Sequence, residues 1–356
     1  MQANTKIAQS LFKQNKFQEA INTCNQILTT DKNSIEALKL IAKSCLAISK
    51  IDDARIYFNK VLNIKPDDYE VIKDLGNTYQ AVGDINTAKN YYKKAIAING
   101  NYAPALTNLG SIELTIGDPQ DALSLLIKAT ESDPGLAPAW GNLANAYVQL
   151  GKTNDAEIAC RKSIEINPNL FNFHFLLSTI LIGKKELQEA ELSLRKTIKL
   201  KPDFFEAHLN LGAVFKDLGQ LDEAELSTRK TIQLNPNYAQ AYSNLGGILK
   251  DIGNLNEAEI ATRKAIQLNP NYAQAYSNLG SILKDLGNIN EAISSTRKAI
   301  NLDPNYAEAY YNLGGILGDN GSLKEAELLT RKAIELNPNH AEAYYNLGGI
   351  LVNIGN

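Results

Sequence analysis

The sequence predicts an all-α fold, a right-handed α-solenoid (superhelix) of ten complete 34-residue helix–turn–helix repeats plus one extra helix. Three recurrences predict it. Prolines stand at Pro66, Pro134, Pro168, Pro202, Pro236, Pro270, Pro304 and Pro338, with Gly100 in the one skipped place. Alanine recurs on the same period at Ala54, Ala88, Ala156, Ala224 and Ala326, and glycine at Gly76, Gly110, Gly212, Gly246, Gly280, Gly314 and Gly348. A period of this length means that stacked supersecondary units bury the apolar surface, in place of one closed core. The repeats run 1–34, 35–68, 69–102, 103–136, 137–170, 171–204, 205–238, 239–272, 273–306 and 307–340, and 341–356 supplies one helix more. A single solenoid over 1–356 is therefore expected.

Repeat 8 shows how each element arises. Tyr242, Leu245, Leu249 and Ile252 occupy positions 4, 7, 11 and 14 of the repeat and form one apolar stripe on a first helix. Gly253 at position 15 ends that helix, because glycine accepts the left-handed conformation that a C-terminus favours. Repeat 6 has Lys185 at this place. Asn254 with Glu257 predicts a cap for the second helix, and Ser322 with Glu325 the corresponding capping box of repeat 10. The second helix carries Ala258, Ala265, Ile266 and Leu268 before Pro270 closes the unit. Glycine at position 8 and alanine at position 20 remove bulk, so the paired helices can approach closely.

Trp140, Leu143, Tyr147, Ala156 and Pro168 within one repeat resemble the signature of the tetratricopeptide repeat. The resemblance extends over the whole chain. It implies that first helices line a concave face and second helices a convex one. Positions 2, 5, 6, 9, 12 and 13 would then face the groove, and an interaction scaffold for a protein or peptide is expected.

Position 6 is the sharpest signal. It reads Asn108, Asn142, Leu176, Asn210, Asn244, Asn278, Asn312 and Asn346. An asparagine amide both donates and accepts hydrogen bonds. Packed helices lie about 8–10 Å apart and an extended peptide advances about 3.3 Å per residue, so one amide would meet about every third residue. This row is similar to the asparagine ladder of the repeat region of O-linked N-acetylglucosamine transferases, which implies a grip on peptide main chain. Its alternative is a set of solvated amides. In repeat 6, Phe175 and Leu176, with Leu209 of the next repeat, predict an apolar pocket in the groove, set against local distortion that turns the phenylalanines inward. Lys73, Asn77 and Asn108 match three places of the carboxylate clamp of chaperone-binding members of the family. Pro138 and Asn142 stand where further clamp residues belong, so the clamp is incomplete.

The remaining features argue against other classes. A net charge of −3 gives no reason to expect nucleic acid or an anionic membrane. The Arg-Lys pairs such as Arg229-Lys230 and Arg263-Lys264 follow Glu225 and Glu259 by one helical turn, which predicts solvated ion pairs. Lys216-Asp217, Lys250-Asp251 and Lys284-Asp285 recur near the groove rim. His174 and His208 fill packing position 4, and His340 lies in a loop between repeats. Cys24, Cys45 and Cys160 sit at helix-packing positions, too scattered for disulfides or metal. No catalytic constellation, cofactor motif or metal-ligand spacing is present, so a non-enzymatic protein without cofactor is expected, in a reduced, cytoplasmic setting. The N-terminus lacks a signal-peptide pattern, and Phe171 to Gly183 is shorter than the roughly 20 residues of a membrane span. Leu347, Ile350, Leu351 and Ile354 keep the apolar pattern of an internal repeat. Two expectations follow: a fragment of a longer array, such as the substrate-recruiting arm of a larger transferase, or a structural array that self-associates end to end through this uncapped helix.

Overall fold

The computed structural model describes residues 2–355, and every regular element among them is an α-helix. The first ten helices are α1 (Gln2–Lys13), α2 (Phe17–Thr30), α3 (Ile35–Ala47), α4 (Ile51–Ile64), α5 (Tyr69–Ala81), α6 (Ile85–Ile98), α7 (Ala103–Ile116), α8 (Pro119–Ser132), α9 (Ala137–Gln149) and α10 (Thr153–Ile166). They are followed by α11 (Phe171–Gly183), α12 (Leu187–Leu200), α13 (Phe205–Asp217), α14 (Leu221–Leu234), α15 (Ala239–Ile252) and α16 (Leu255–Leu268). The last five are α17 (Ala273–Asp285), α18 (Ile289–Leu302), α19 (Ala307–Asp319), α20 (Leu323–Leu336) and α21 (Ala341–Ile354). Each repeat thus supplies one odd-numbered and one even-numbered helix, the pairing of an all-α solenoid. The chain divides into two compact units, Met1–Ile180 and Leu181–Asn356, with the boundary inside α11.

Close approach within a repeat explains the small-residue positions. Ala20, Ala54, Ala88, Ala122, Ala156, Ala190, Ala224, Ala258, Ala292 and Ala326 are all fully buried. A Cβ added at Gly246 would collide with Thr262 Oγ1 and lie 3.1 Å from the Ala258 carbonyl oxygen. Position 8 therefore packs against position 24 of the same repeat, with little room for exchange. Unit 1 fills the same contact with larger partners, Tyr92 against Gly76 and Leu126 against Gly110.

The turn between paired helices places a left-handed residue at position 15 in every complete repeat but repeat 4, where Gly117 stands at φ −118°. Gly253 takes φ 94°, as the sequence predicts. Asn15, Ser49 and Lys185 adopt φ of 62°, 61° and 61° at the equivalent places without glycine. Repeat 6 consequently keeps the regular turn: Glu186 N–H donates to the Leu181 carbonyl at 2.9 Å, as Asn254 does to Leu249 at 2.8 Å. Two local expectations fail. Ser322 stands at the N-terminus of α20 but makes no side-chain capping bond, and the Glu325 carboxylate expected to complete the box pairs with Arg297 of the preceding second helix at 2.7 Å. Asn254 likewise bonds the Glu257 side chain at 3.0 Å and does not cap α16. The side chains that do cap are Asp68, Asp84 and Asp118 in unit 1. Ile252 is the second departure, 40% exposed at the end of its stripe.

Position 4 ties consecutive repeats. Trp140 Nε1 donates to the Pro134 carbonyl at 3.0 Å, and His174 and His208 bring Nε2 to the Pro168 and Pro202 carbonyls at the same distance. These histidines are structural, as their packing position predicts. Burial pushes the Cys24 thiol up to about 11 and the Cys160 thiol up to about 12, and both lie in the helix core.

Candidate functional site

Within unit 2, second helices pack on the first helices before and after them, and consecutive first helices α15, α17 and α19 also touch. That contact runs through position 5. Ser243 and Ser277 are fully buried and Leu209 is 5% exposed. The expectation that position 5 faces the groove is therefore corrected for Leu209, Ser243 and Ser277, which the neighbouring first helix covers, whereas Tyr311 at position 5 of repeat 10 stays half-buried at the groove. Leu209 belongs to the core of unit 2, where it offers no pocket wall. Phe175 and Leu176 are half-buried in unit 1, so the three residues expected to form one apolar pocket are distributed between the two units.

The asparagine row is half-buried along its length and, Asn108 apart, consists of two kinds of residue. Asn278 Nδ2 donates to the Ser243 hydroxyl at 3.0 Å and to its carbonyl at 3.3 Å, and Asn312 Nδ2 donates to the Ser277 hydroxyl at 3.0 Å. These amides stitch one first helix to the previous one and keep their Oδ1 acceptors available. Asn142, Asn210, Asn244 and Asn346 make no such bond. Their predecessors at position 5 in the repeat before are not serine. A serine at position 5 followed by an asparagine one repeat and one residue later is the sequence signal for the tied kind.

The groove of unit 2 holds two adjoining recesses. One, of ≈ 390 Å³, is lined by Lys250, Asp285, Asn278, Asn312, Tyr311 and Gly315, among others. The other, of ≈ 170 Å³, includes Ala213, Ser243, Asn244 and Gln274. They share Lys216, Gly247 and Asn278. Small residues at position 9 open this floor, and a Cβ on Gly247 would stand 3.3 Å from Lys216 Nζ. The rim lysines are not free cations. Lys216, Lys250 and Lys284 pair with Asp251, Asp285 and Asp319 of the following repeat at 3.1, 3.3 and 2.7 Å. The groove is therefore polar with its charges balanced.

The second helices carry a parallel ladder. Arg263 pairs with Glu259 on its own helix and with Glu291 on the next second helix, both at 2.7 Å. Arg229 likewise pairs with Glu225 and Glu257. The sequence predicts the pair within each helix; the bridge to the next repeat needs the structure to be seen.

In unit 1 the groove positions differ. Lys73 and Asn77 lie on α5 and Asn108 on α7. Asn108 Nδ2 donates to Asn77 Oδ1 at 2.8 Å, and the Tyr92 hydroxyl donates to the same oxygen at 2.8 Å. Lys73 pairs with Asp74, which also faces Lys43 at 3.9 Å. Two of the three clamp residues are brought together, but the lysine already holds a carboxylate from its own helix. Sequence reasoning missed another contact here: the Phe173 ring of α11 lies against Gly141 of α9, where any Cβ would clash with it. The signal was present as a glycine at position 5 followed by a phenylalanine at position 3 of the next repeat.

His340 bridges Glu308 and Glu342 at 3.1 Å each and sits 4.7 Å from the Tyr311 ring. On α21, Tyr345 and Val352 are 89% and 74% exposed. No helix among the described residues is long and apolar enough to cross a membrane. No cluster of three or more metal-ligating side chains occurs among them.

Paired antiparallel helices stacked through small-residue positions define a helical-repeat protein with a polar groove. The chain belongs to the tetratricopeptide-repeat family: residues 2–275 match the C-terminal domain family of cilia and flagella-associated protein 70, and tetratricopeptide-repeat families match residues 261–294, 280–321, 307–340 and 329–356. No curated protein sequence matches the chain. Among solved structures it is similar to a chain in the crystal structure of the APC/C hetero-tetramer Cut9–Hcn1, with a TM-score of 0.54 and 13% identity over 97% of this chain and 95% of that one. That likeness concerns the fold. The fold is one typical of protein–protein interaction scaffolds.

Proposed function

We propose that the protein is an interaction scaffold whose unit 2 groove holds an extended segment of a partner protein by its main chain. The observation that carries this reading is the pair of adjoining recesses floored by Asn244, Asn278 and Asn312, with glycine, alanine or serine at position 9 and a charge-balanced rim. Open space above small residues admits a peptide backbone. Amides that donate and accept can pair with main-chain groups whatever the side chains. A balanced rim disfavours selection by net charge, which suits recognition of backbone. At about 8–10 Å between packed helices, successive asparagines would meet about every third residue of an extended chain.

The test is a two-way scan of a binding peptide selected from an unstructured library. One series replaces backbone N–H by N-methyl at successive residues, and the other replaces side chains by alanine. Loss of binding at about every third N-methylated position supports the reading. Binding indifferent to N-methylation but abolished by alanine at one or two positions contradicts it.

A further inference from the structure

We propose that Asn99–Gly100, between α6 and α7, is a site of spontaneous covalent modification, where asparagine closes to a succinimide and opens to aspartate and isoaspartate. The reaction needs a backbone N–H after the asparagine, an accessible side-chain carbonyl and water. Gly100 N attacks Asn99 Cγ, the amide leaves as ammonia, and water then opens the ring on either side. No oxidant or cofactor enters the balance.

Comparison of equivalent loops isolates the site. Asn167, Asn235, Asn269 and Asn337 occupy the same repeat position but are each followed by proline. Proline has no N–H, so none of these can provide the nucleophile. Three of the four share the activating contact: Asn169, Asn271 and Asn339 donate their N–H to Asn167, Asn269 and Asn337 Oδ1 at 3.1, 3.1 and 3.2 Å. Asn101 N–H does the same to Asn99 Oδ1 at 3.1 Å. This donor withdraws density from the Asn99 carbonyl and faces the oxygen on which charge develops. Position 100 alone combines that polarised carbonyl with an N–H and no side chain.

Two neighbours strengthen the case. Lys128 Nζ lies 3.6 Å from the place a Gly100 Cβ would occupy, so an ammonium stands beside the amide that must lose its proton. Gly100 itself is exposed and makes no backbone hydrogen bond. The chain contains a second Asn–Gly pair, Asn320–Gly321. There the Gly321 N–H donates to the Gly318 carbonyl at 3.1 Å and the residue is held at φ 82° in the inter-helix turn. Its nucleophile is engaged and its conformation fixed by the helix end.

The two products differ in consequence. Aspartate fits, because Asp133 and Asp303 hold this position in other repeats and accept from Gly135 and Asn305 N–H at 3.0 Å in the same way. Isoaspartate inserts a methylene into the main chain at residue 99, inside the turn that Tyr102 N–H closes by donating to the Asn99 carbonyl at 3.1 Å before α7. The modification therefore loosens the junction of repeats 3 and 4, which positions Asn108.

Incubation of the full chain at mildly alkaline pH, followed by peptide mapping and labelling with protein isoaspartyl methyltransferase, tests this. The peptide holding Asn99 gains one mass unit and methyl label with time, well ahead of the peptide holding Asn320, and the Asn–Pro peptides do not change. Gly100→Pro abolishes the gain. It is compatible with the fold because Asn99 is already extended, at φ −128° and ψ 96°. Asn99→Asp melts like the parent, which separates the added charge from the isoaspartyl linkage. An unchanged Asn99 peptide, or Asn320 reacting first, overturns the proposal.

Discussion

The two units solve one packing problem with different means. In unit 2, repeats 8 and 9 place Thr262 and Thr296 against Gly246 and Gly280, and each threonine hydroxyl donates to the carbonyl four residues earlier at 2.8 Å. In unit 1 position 24 holds Phe58, Tyr92 and Leu126, all fully buried, with Tyr92 and Leu126 against Gly76 and Gly110. Charges divide similarly. Unit 2 repeats one Lys–Asp rim and one Arg–Glu ladder from repeat to repeat. Unit 1 uses single arrangements: Arg55 stacked 4.1 Å over Tyr79, which itself stacks on Tyr91 at 5.3 Å, and Lys89 bound to the buried Glu113 at 2.7 Å. The frame constrains positions 8, 15 and 20 and leaves much of the rest free. Unit 2 uses that freedom to build a uniform surface, and unit 1 to build individual contacts.

Phe58→Ala should break unit 1 most, by about 3–5 kcal/mol, because a large fully buried ring leaves a cavity. The equivalent Thr262→Ala in unit 2 removes little volume and should cost about 1 kcal/mol. Denaturant melts of the two variants compare the positions directly; equal losses would erase the distinction between the units. Gly141→Ala comes next, at about 1–3 kcal/mol, since its Cβ must displace the Phe173 ring. Phe173→Ala in the same background should recover part of that loss.

Asp68 sharpens the electrostatic side of the comparison. It is buried at the N-terminus of α5, accepts from Val71 N–H, and pairs with Lys39 at 2.8 Å. Burial alone would raise its carboxyl, but the Lys39 bond, the Val71 bond and the Lys39 and Lys65 charges outweigh it and hold the group below the ordinary carboxylate range. A depressed value gives stability above the unfolded value of about 3.9, lost as pH falls through the folded one. Asp68→Asn keeps the cap but loses the charged bond to Lys39, so it should cost about 1.5–3 kcal/mol at neutral pH and less in strong acid, as measured by melts across pH. Arg263→Ala should change stability least, by under about 1 kcal/mol, because its pairs are exposed and screened by salt.

Much of the frame was legible in the sequence. Proline, glycine and alanine on a 34-residue period locate every helix pair, because backbone conformation and close approach admit few residue types. The groove was less legible. Helical periodicity shows which face of a helix is apolar but not which neighbour covers a polar position, so Ser243, Ser277 and Leu209 at position 5 were expected in the groove and lie in the core. The capping boxes were misread for a related reason: Glu325 has a competing arginine on another helix, which local spacing cannot reveal. The asparagine row was visible as a row. Its division into tied and untied amides depends on a contact 35 residues away.

That division supplies the most direct test of main-chain recognition. Asn210 and Asn244 make no side-chain bond among the described residues, so their replacement by alanine should leave thermal melting unchanged. Calorimetric titration of the double variant with a selected extended peptide should show affinity reduced at least about tenfold, the equivalent of about 1.4 kcal/mol. Affinity equal to that of the parent protein, with melting intact, would contradict the role assigned to the row.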